Sequence, residues 1–186
     1  TLLHALAARG TPQQCAVYMQ DEHTGFALTV AEVVALGRLP WQGYTHRTQD
    51  AALVQQALHA CDVAHLTQRY YAQLSGGERA RVRLARGMAQ LLQPQPAQPS
   101  PVPAYWLLDE PCAHLDLKHQ QQLGRLLQLQ AQQGWGVLVV THDLHWVRRY
   151  AQQVVVLHHG GIYAQGTPTQ VLSAACLQDV FEVVEE

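Results

Sequence analysis

Charge is scarce in this 186-residue sequence, and neither sign is in excess. Asp, Glu, Lys and Arg together make up 14% of the residues, with 12 Lys plus Arg against 14 Asp plus Glu and a net charge of −2. A chain without a basic surplus has little to set against a polyphosphate backbone, which excludes a dedicated DNA or RNA binder. Long apolar runs are missing as well. No stretch approaches the roughly 18 apolar residues of a membrane span. Thr1-Leu2-Leu3-His4 also opens without the charged region, apolar run and cleavage site of a secretion signal. The expectation is a chain that neither crosses a membrane nor is exported. The four cysteines, Cys15, Cys61, Cys112 and Cys176, form no C-x-x-C pair, so neither a zinc clamp nor a disulfide framework is expected. Of the 11 histidines, the adjacent pair His158-His159 precedes Gly160-Gly161 and reads as a solvated turn.

What is present is enough oil for a core: 48% of the residues are apolar, and glutamine fills much of the polar surface. Length predicts one compact unit of ordinary size. Leu2 to Ala8 reads as a short helix closed by Gly10 and Pro12, and Cys15 to Met19 as a brief apolar strand ending at Gln20. Thr29-Val30-Ala31-Glu32 has the form of a capping box, so a helix starts at Thr29 and runs to Gly37. Ala52, Leu53, Ala57 and Leu58 predict another between Gln49 and Cys61, making residues 29–74 mainly helical. Val82, Ala85, Met88, Ala89 and Leu92 predict an amphipathic helix beginning near Gly76-Gly77, with Arg79, Arg83 and Arg86 on another face. Five prolines between Pro94 and Pro103 then dictate a loop or extended insert. Tyr105 to Leu108 and Gly136 to Val140 are continuous apolar runs of the kind buried on both faces of a parallel sheet, separated by a helix over Lys118 to Gln133. Strand, helix, strand predicts a parallel α/β unit. A strand pair round Gly160-Gly161 and one or two helices close the chain.

Three places carry chemistry. Asp109-Glu110 puts two carboxylates at the C-terminal end of a buried strand, where ligands sit in open α/β sheets. Thr141-His142-Asp143 ends the next parallel strand and brings an imidazole to the same rim. Leu74-Ser75-Gly76-Gly77-Glu78 crowns a helix N-terminus with a hydroxyl and two amides bare of side chains, a geometry that suits a phosphate.

Taken in order, these residues resemble the ATP-binding subunit of ABC (ATP-binding cassette) transporters over nearly the whole chain. Leu74 to Glu78 resembles the signature, Tyr105 to Asp109 the Walker B strand followed by Glu110, Leu115-Asp116 the D-loop, His142 the switch histidine and Gln20 the Q-loop glutamine. Gly161 to Pro168 resembles the family's glycine hairpin and G-x-P turn. The run Phe26 to Arg38 and the proline-rich insert most resemble importers of haem, with iron-siderophore and cobalamin importers next. The resemblance implies a P-loop NTPase-like α/β core with a mainly parallel sheet and an α-helical subdomain. The implied division is a core remnant over residues 1–20, the helical subdomain over 21–77 and the rest of the core over 78–186.

It further implies ATP and Mg²⁺, with Asp109 and Gln20 toward the metal, Glu110 and His142 catalytic, and Ser75, Gly76, Gly77 and Asp116 toward nucleotide. The implied partners are a second copy of the subunit, integral membrane permease subunits and, indirectly, a periplasmic substrate-binding protein, at the cytoplasmic face of the bacterial inner membrane. Two departures stand out. No G-x-x-x-x-G-K-[ST] occurs, so the family's own cradle for the β- and γ-phosphates is missing from these residues. Thr1-Leu2-Leu3 is expected to follow directly on a lost Gly-Lys-Ser, with a further deletion between Gly10 and Gln14. Cys112-Ala113-His114 stands where Thr-Ser-Ala is common. A non-catalytic remnant is therefore the alternative to a working ATPase. A chromosome or repair ATPase is disfavoured by the lack of sustained heptads and of basic charge.

Overall fold

A computed structural model describes residues 2–8, 10–19, 27–93 and 104–182. Length predicted one compact unit, whereas the chain folds as two, Thr1–Val140 and Thr141–Glu186. The second closes a small apolar cluster of its own.

In the first unit, helix α1 (Leu2–Ala7) leads to strand β1 (Cys15–Tyr18), and β2 (Tyr105–Asp109) and β3 (Gly136–Val140) complete a three-stranded sheet. The order is β1-β2-β3 and all pairings are parallel, with Val17 opposite Leu107 and Asp109 opposite Val140. Parallel neighbours need a crossover, and α5 (Leu117–Gln132) supplies the one between β2 and β3. Trp106, Leu107 and Leu108 are buried, as expected for a central strand. Gly136–Val140 departs from the expectation of burial on both faces: Leu138 and Val140 are exposed. Among the described residues β3 pairs with β2 alone, so it is an edge strand.

The helical part is built from local signals. Thr29 caps α2 (Val30–Ala35) in a complete capping box with Glu32. The chain tightens into a 3-10 turn over Leu36–Trp41 rather than continuing as α-helix to Gly37, because Pro40 cannot supply an amide. Helix α3 (Arg47–Ala60) and two short 3-10 turns bring the chain to α4 (Gly76–Leu91). A Cβ on Gly37 would collide with the carbonyl of Arg86, so only glycine lets this turn lie against α4. The C-terminal carbonyls of α4 are satisfied from the same turn. Buried Arg38 donates through Nη1 to the carbonyls of Ala89 and Leu92, both at 2.6 Å, and Trp41 Nε1 donates to that of Gln90 at 2.7 Å.

Arg83 corrects the reading that put it with Arg79 and Arg86 away from the core. It is buried, donating from Nη1 to the carbonyl of Met19 at 2.9 Å and from Nη2 to the Tyr18 hydroxyl at 3.2 Å. Its guanidinium also lies over the Tyr18 ring. The aliphatic stem packs in the core while the fork finds polar partners at the end of β1.

In the second unit, α6 (Leu144–Tyr150), the antiparallel hairpin β4 (Val154–His158) and β5 (Gly161–Gly166), α7 (Pro168–Val171) and α8 (Ala174–Phe181) follow in order. His159 and Gly160 both have positive φ, as a tight hairpin turn requires. Val156, Val171, Leu172 and Cys176 form the buried cluster. The proline-rich insert, apart from Gln93, lies outside the described residues. No helix among those described is long and apolar enough to cross a membrane.

Candidate functional site

The serine-glycine turn is held open by its own hydrogen bonds. Ser75 is the N-cap of α4; its hydroxyl accepts from the amide of Glu78 at 3.3 Å, and its own amide donates to Glu78 Oε2 at 2.8 Å. The Ser75 amide foremost, then the Ser75 hydroxyl, hydrogen-bonds the Glu78 carboxylate and, helped by the charges of Arg69 and Arg81, holds it below its ordinary range. Arg79 props the turn from behind, donating through Nε to the carbonyl of Leu74 at 2.8 Å. Ser75 and Gly76 are exposed at the positive end of a 16-residue helix, the geometry that favours an anion.

The two glycines differ. A Cβ on Gly76 would meet nothing within 4 Å, whereas one on Gly77 would stand 2.9 Å from the carbonyl oxygen of His114. Gly77 therefore permits a close approach between the signature turn and the loop that follows the acidic strand. Sequence reading found both segments but had no means of showing that they touch.

Asp109 is the last residue of β2 and is half-buried. Glu110 then adopts φ 45°, a left-handed conformation that a non-glycine residue rarely takes. Its amide still donates to the carbonyl of Val140 at 2.9 Å, so the strand is paired up to the point where the backbone swings away. Strain of this kind is retained where the surrounding structure enforces it, commonly at functional sites. Pro111 and Cys112 are buried beneath the turn. The small Cys112 side chain sits in the core, and the departure from Thr-Ser-Ala is accommodated without opening the loop.

Asp116 caps α5. Its Oδ1 accepts from the amide of His119 at 2.9 Å and faces His119 Nδ1 at 2.7 Å. The amide bond foremost, with the ring and the charge of Arg81 behind it, lowers the Asp116 carboxyl from its ordinary value. An Asp three residues ahead of a histidine at a helix start was a signal available in the sequence for this contact. Arg83 had a signal too: it lies between Ala80 and Gly87 in the stripe that faces the core.

His142 is exposed in the second unit, directly before Asp143, whose Oδ1 accepts from the Trp146 amide at 2.9 Å and caps α6. Gln20 lies outside the described residues, although Arg83 anchors the chain at Met19 immediately before it.

Mg²⁺ is held by one or two carboxylates together with substrate phosphates rather than by an all-protein cage. The half-buried carboxylate of Asp109 fits that mode, and no cluster of three or more His, Cys, Asp or Glu residues able to hold a metal occurs among the described residues. For a triphosphate, the Ser75 hydroxyl and the amides of Gly76 and Gly77 fit a contact from the signature side.

No family model matches the chain. It is 46% identical over 169 residues to the hemin import ATP-binding protein HmuV of Pseudomonas fluorescens, covering 91% of this chain and 63% of that protein. It is 41% identical over 181 residues to the HmuV of Pseudomonas entomophila, covering 97% and 68%, and 41% identical to that of Rhodococcus jostii, covering 93% and 57%. The chain thus spans less than two thirds of the P. fluorescens and R. jostii relatives. Among solved structures, an inward-facing metal-chelate type ABC transporter superposes with a TM-score of 0.76 at 26% identity, covering 92% of this chain and 64% of that one. The ATP-binding subunit of another ABC transporter superposes at 0.70 with 22% identity, covering 88% and 64%.

Proposed function

This chain belongs to the ATP-binding subunits of ABC transporters, and on that premise we propose that it is the part of such a subunit that closes over ATP and energises an importer of hemin. The hemin cargo is supported by the relatives' names and by the resemblance over Phe26 to Arg38. The observation that carries the reading is the signature turn. The Ser75 hydroxyl and the Gly76 amide lie at an exposed helix N-terminus, and Gly77 lets that terminus approach the loop leaving the Asp109-Glu110 strand end.

In this reading two copies pack head to tail, and each triphosphate lies between one subunit's P-loop and the other's Ser75-Gly76-Gly77. Asp109 and Gln20 are the residues that would hold Mg²⁺, which would supply positive charge against the phosphates. Glu110 accepts the proton of the attacking water, and His142 orients that water against the γ-phosphate. Asp116 lies on the dimer seam. The Ser75 hydroxyl and the amides behind it stabilise charge only when the dimer closes, which ties hydrolysis to a motion. The helical segment up to residue 77 passes that motion to membrane permease subunits at the cytoplasmic face of the inner membrane. A periplasmic binding protein acts indirectly, by delivering cargo to the permease.

The reading is tested by ATP titration and phosphate release on a P-loop-bearing form of the subunit. The expected outcome for Glu110→Gln in that form is retained ATP binding with turnover reduced by about 10²–10³-fold. Unchanged turnover would remove Glu110 from its role.

A further inference from the structure

Behind the signature turn, a line of charged side chains crosses from one helix to another. Arg81, in the second turn of α4, donates through Nη1 to the carbonyl of Asp62 at 2.6 Å and reaches its carboxylate at 3.4 Å. Asp62 follows α3 in a left-handed conformation, φ 53°, at a place where glycine would sit with less strain. Its Oδ2 lies 3.6 Å from His119 Nε2, and His119 Nδ1 lies 2.7 Å from Asp116 Oδ1. Arg81 and His119 are largely buried, at 12% and 16% side-chain exposure, beside apolar Cys61, Leu84, Leu115 and Leu123. Water screens them poorly there. An ionised Asp116 can only accept, so the 2.7 Å contact places a proton on Nδ1, and the 3.6 Å approach to Asp62 is an ion pair when Nε2 carries a proton as well.

The geometry points to His119 as a positioning residue of the nucleotide site, bridging Asp116 to Asp62 and through Asp62 to Arg81 of the signature helix. This rests on the reading of the subunit as an ATPase. Gly77 against His114 closes one end of the seam and the Asp62–His119–Asp116 bridge closes the other. The Leu115-Asp116 turn and the Ser75–Gly77 turn therefore meet a second protomer as one rigid lip. His119 acts through the Asp116 carboxylate and the helix start that it holds.

The two ring nitrogens can be tested apart, because Asn places its amide near the position of Nδ1 and Gln near that of Nε2. In the P-loop-bearing subunit assembled with its permease, His119→Asn and His119→Gln are each expected to lower kcat about tenfold at an unchanged KM for ATP. In an Asp62→Asn background, His119→Asn is expected to add no further loss. Full kcat in both single variants would overturn the assignment. A second measurement needs no ATPase. The ¹⁵N spectrum of the 186-residue chain should show His119 protonated at Nδ1, with that signal displaced in Asp116→Asn. An unprotonated Nδ1 would also overturn it. If the unsubstituted complex hydrolyses no ATP, the ATPase reading fails, and the ¹⁵N result decides the bridge by itself.

Discussion

Exposed Glu32 and Asp116 and half-buried Glu78 are carboxylates that perform one local task, satisfying amide donors at the start of α2, α5 and α4. In each, hydrogen bonds to backbone amides are the largest cause of a carboxyl held below its ordinary range. A depressed folded value means that the unfolded chain binds its protons first as pH falls. The stabilisation is therefore complete above the unfolded values, about pH 4, and is lost as pH falls through the folded ones. We expect the thermal midpoint to fall between about pH 4 and pH 3, and the combined Glu32→Gln, Glu78→Gln and Asp116→Asn variant to flatten that fall. Melts across the same range check it; an equally steep fall in the variant would show that other groups govern acid unfolding. The capping boxes of Thr29 and Ser75 were legible in the sequence because they involve residues three apart. Glu110 and Asp62 were legible as acids but not as left-handed residues, since nothing in an Asp or Glu marks a positive φ.

At the scale of elements, the signature glycines separate two demands that the sequence merges. Gly76 has open space around its missing Cβ, while Gly77 backs onto the His114 carbonyl. Gly76→Ala should leave the fold intact and add up to about 1 kcal/mol of stability, since alanine is the better helix former. Gly77→Ala has to displace a backbone carbonyl, and overpacking of that kind costs about 1–3 kcal/mol. Urea denaturation distinguishes them: similar midpoints for the two variants would mean that the D-loop yields freely and that the two turns are not locked together. Element identity was readable where periodicity was strong, as in α4, α5 and β2. It was not readable where the outcome depends on a neighbour remote in sequence. Gly136–Val140 looks buried on both faces from its composition, yet its exposure is set by which strands flank it. Arg83 carries a charge, yet its place in the stripe with Ala80 and Gly87 puts it in the core beside Tyr18.

For the whole molecule, the arithmetic of half-sites decides what the chain can do. In the proposed head-to-tail pair each nucleotide site is completed from one P-loop and one signature turn, and these 186 residues hold the second without the first. Two copies of the chain therefore bring two signature turns and no cradle. Purified alone, the chain is expected to release no phosphate from ATP above buffer, and a clear ATP-dependent release would contradict the half-site account. Mixed with a P-loop-bearing form, it should pair with that form and leave one complete site in place of two. The P-loop of the longer form would face Ser75-Gly76-Gly77 of this chain, while the opposite site lacks its cradle. ATPase activity per P-loop-bearing subunit should then stay level as this chain is titrated in, because each P-loop still meets one signature turn. With Ser75→Arg in the added chain, the surviving site is blocked and activity should approach complete loss at excess. Activity that is indifferent to the added Ser75→Arg chain would mean that the signature face does not engage a second protomer, and the ATP-bridged dimer would have to be abandoned.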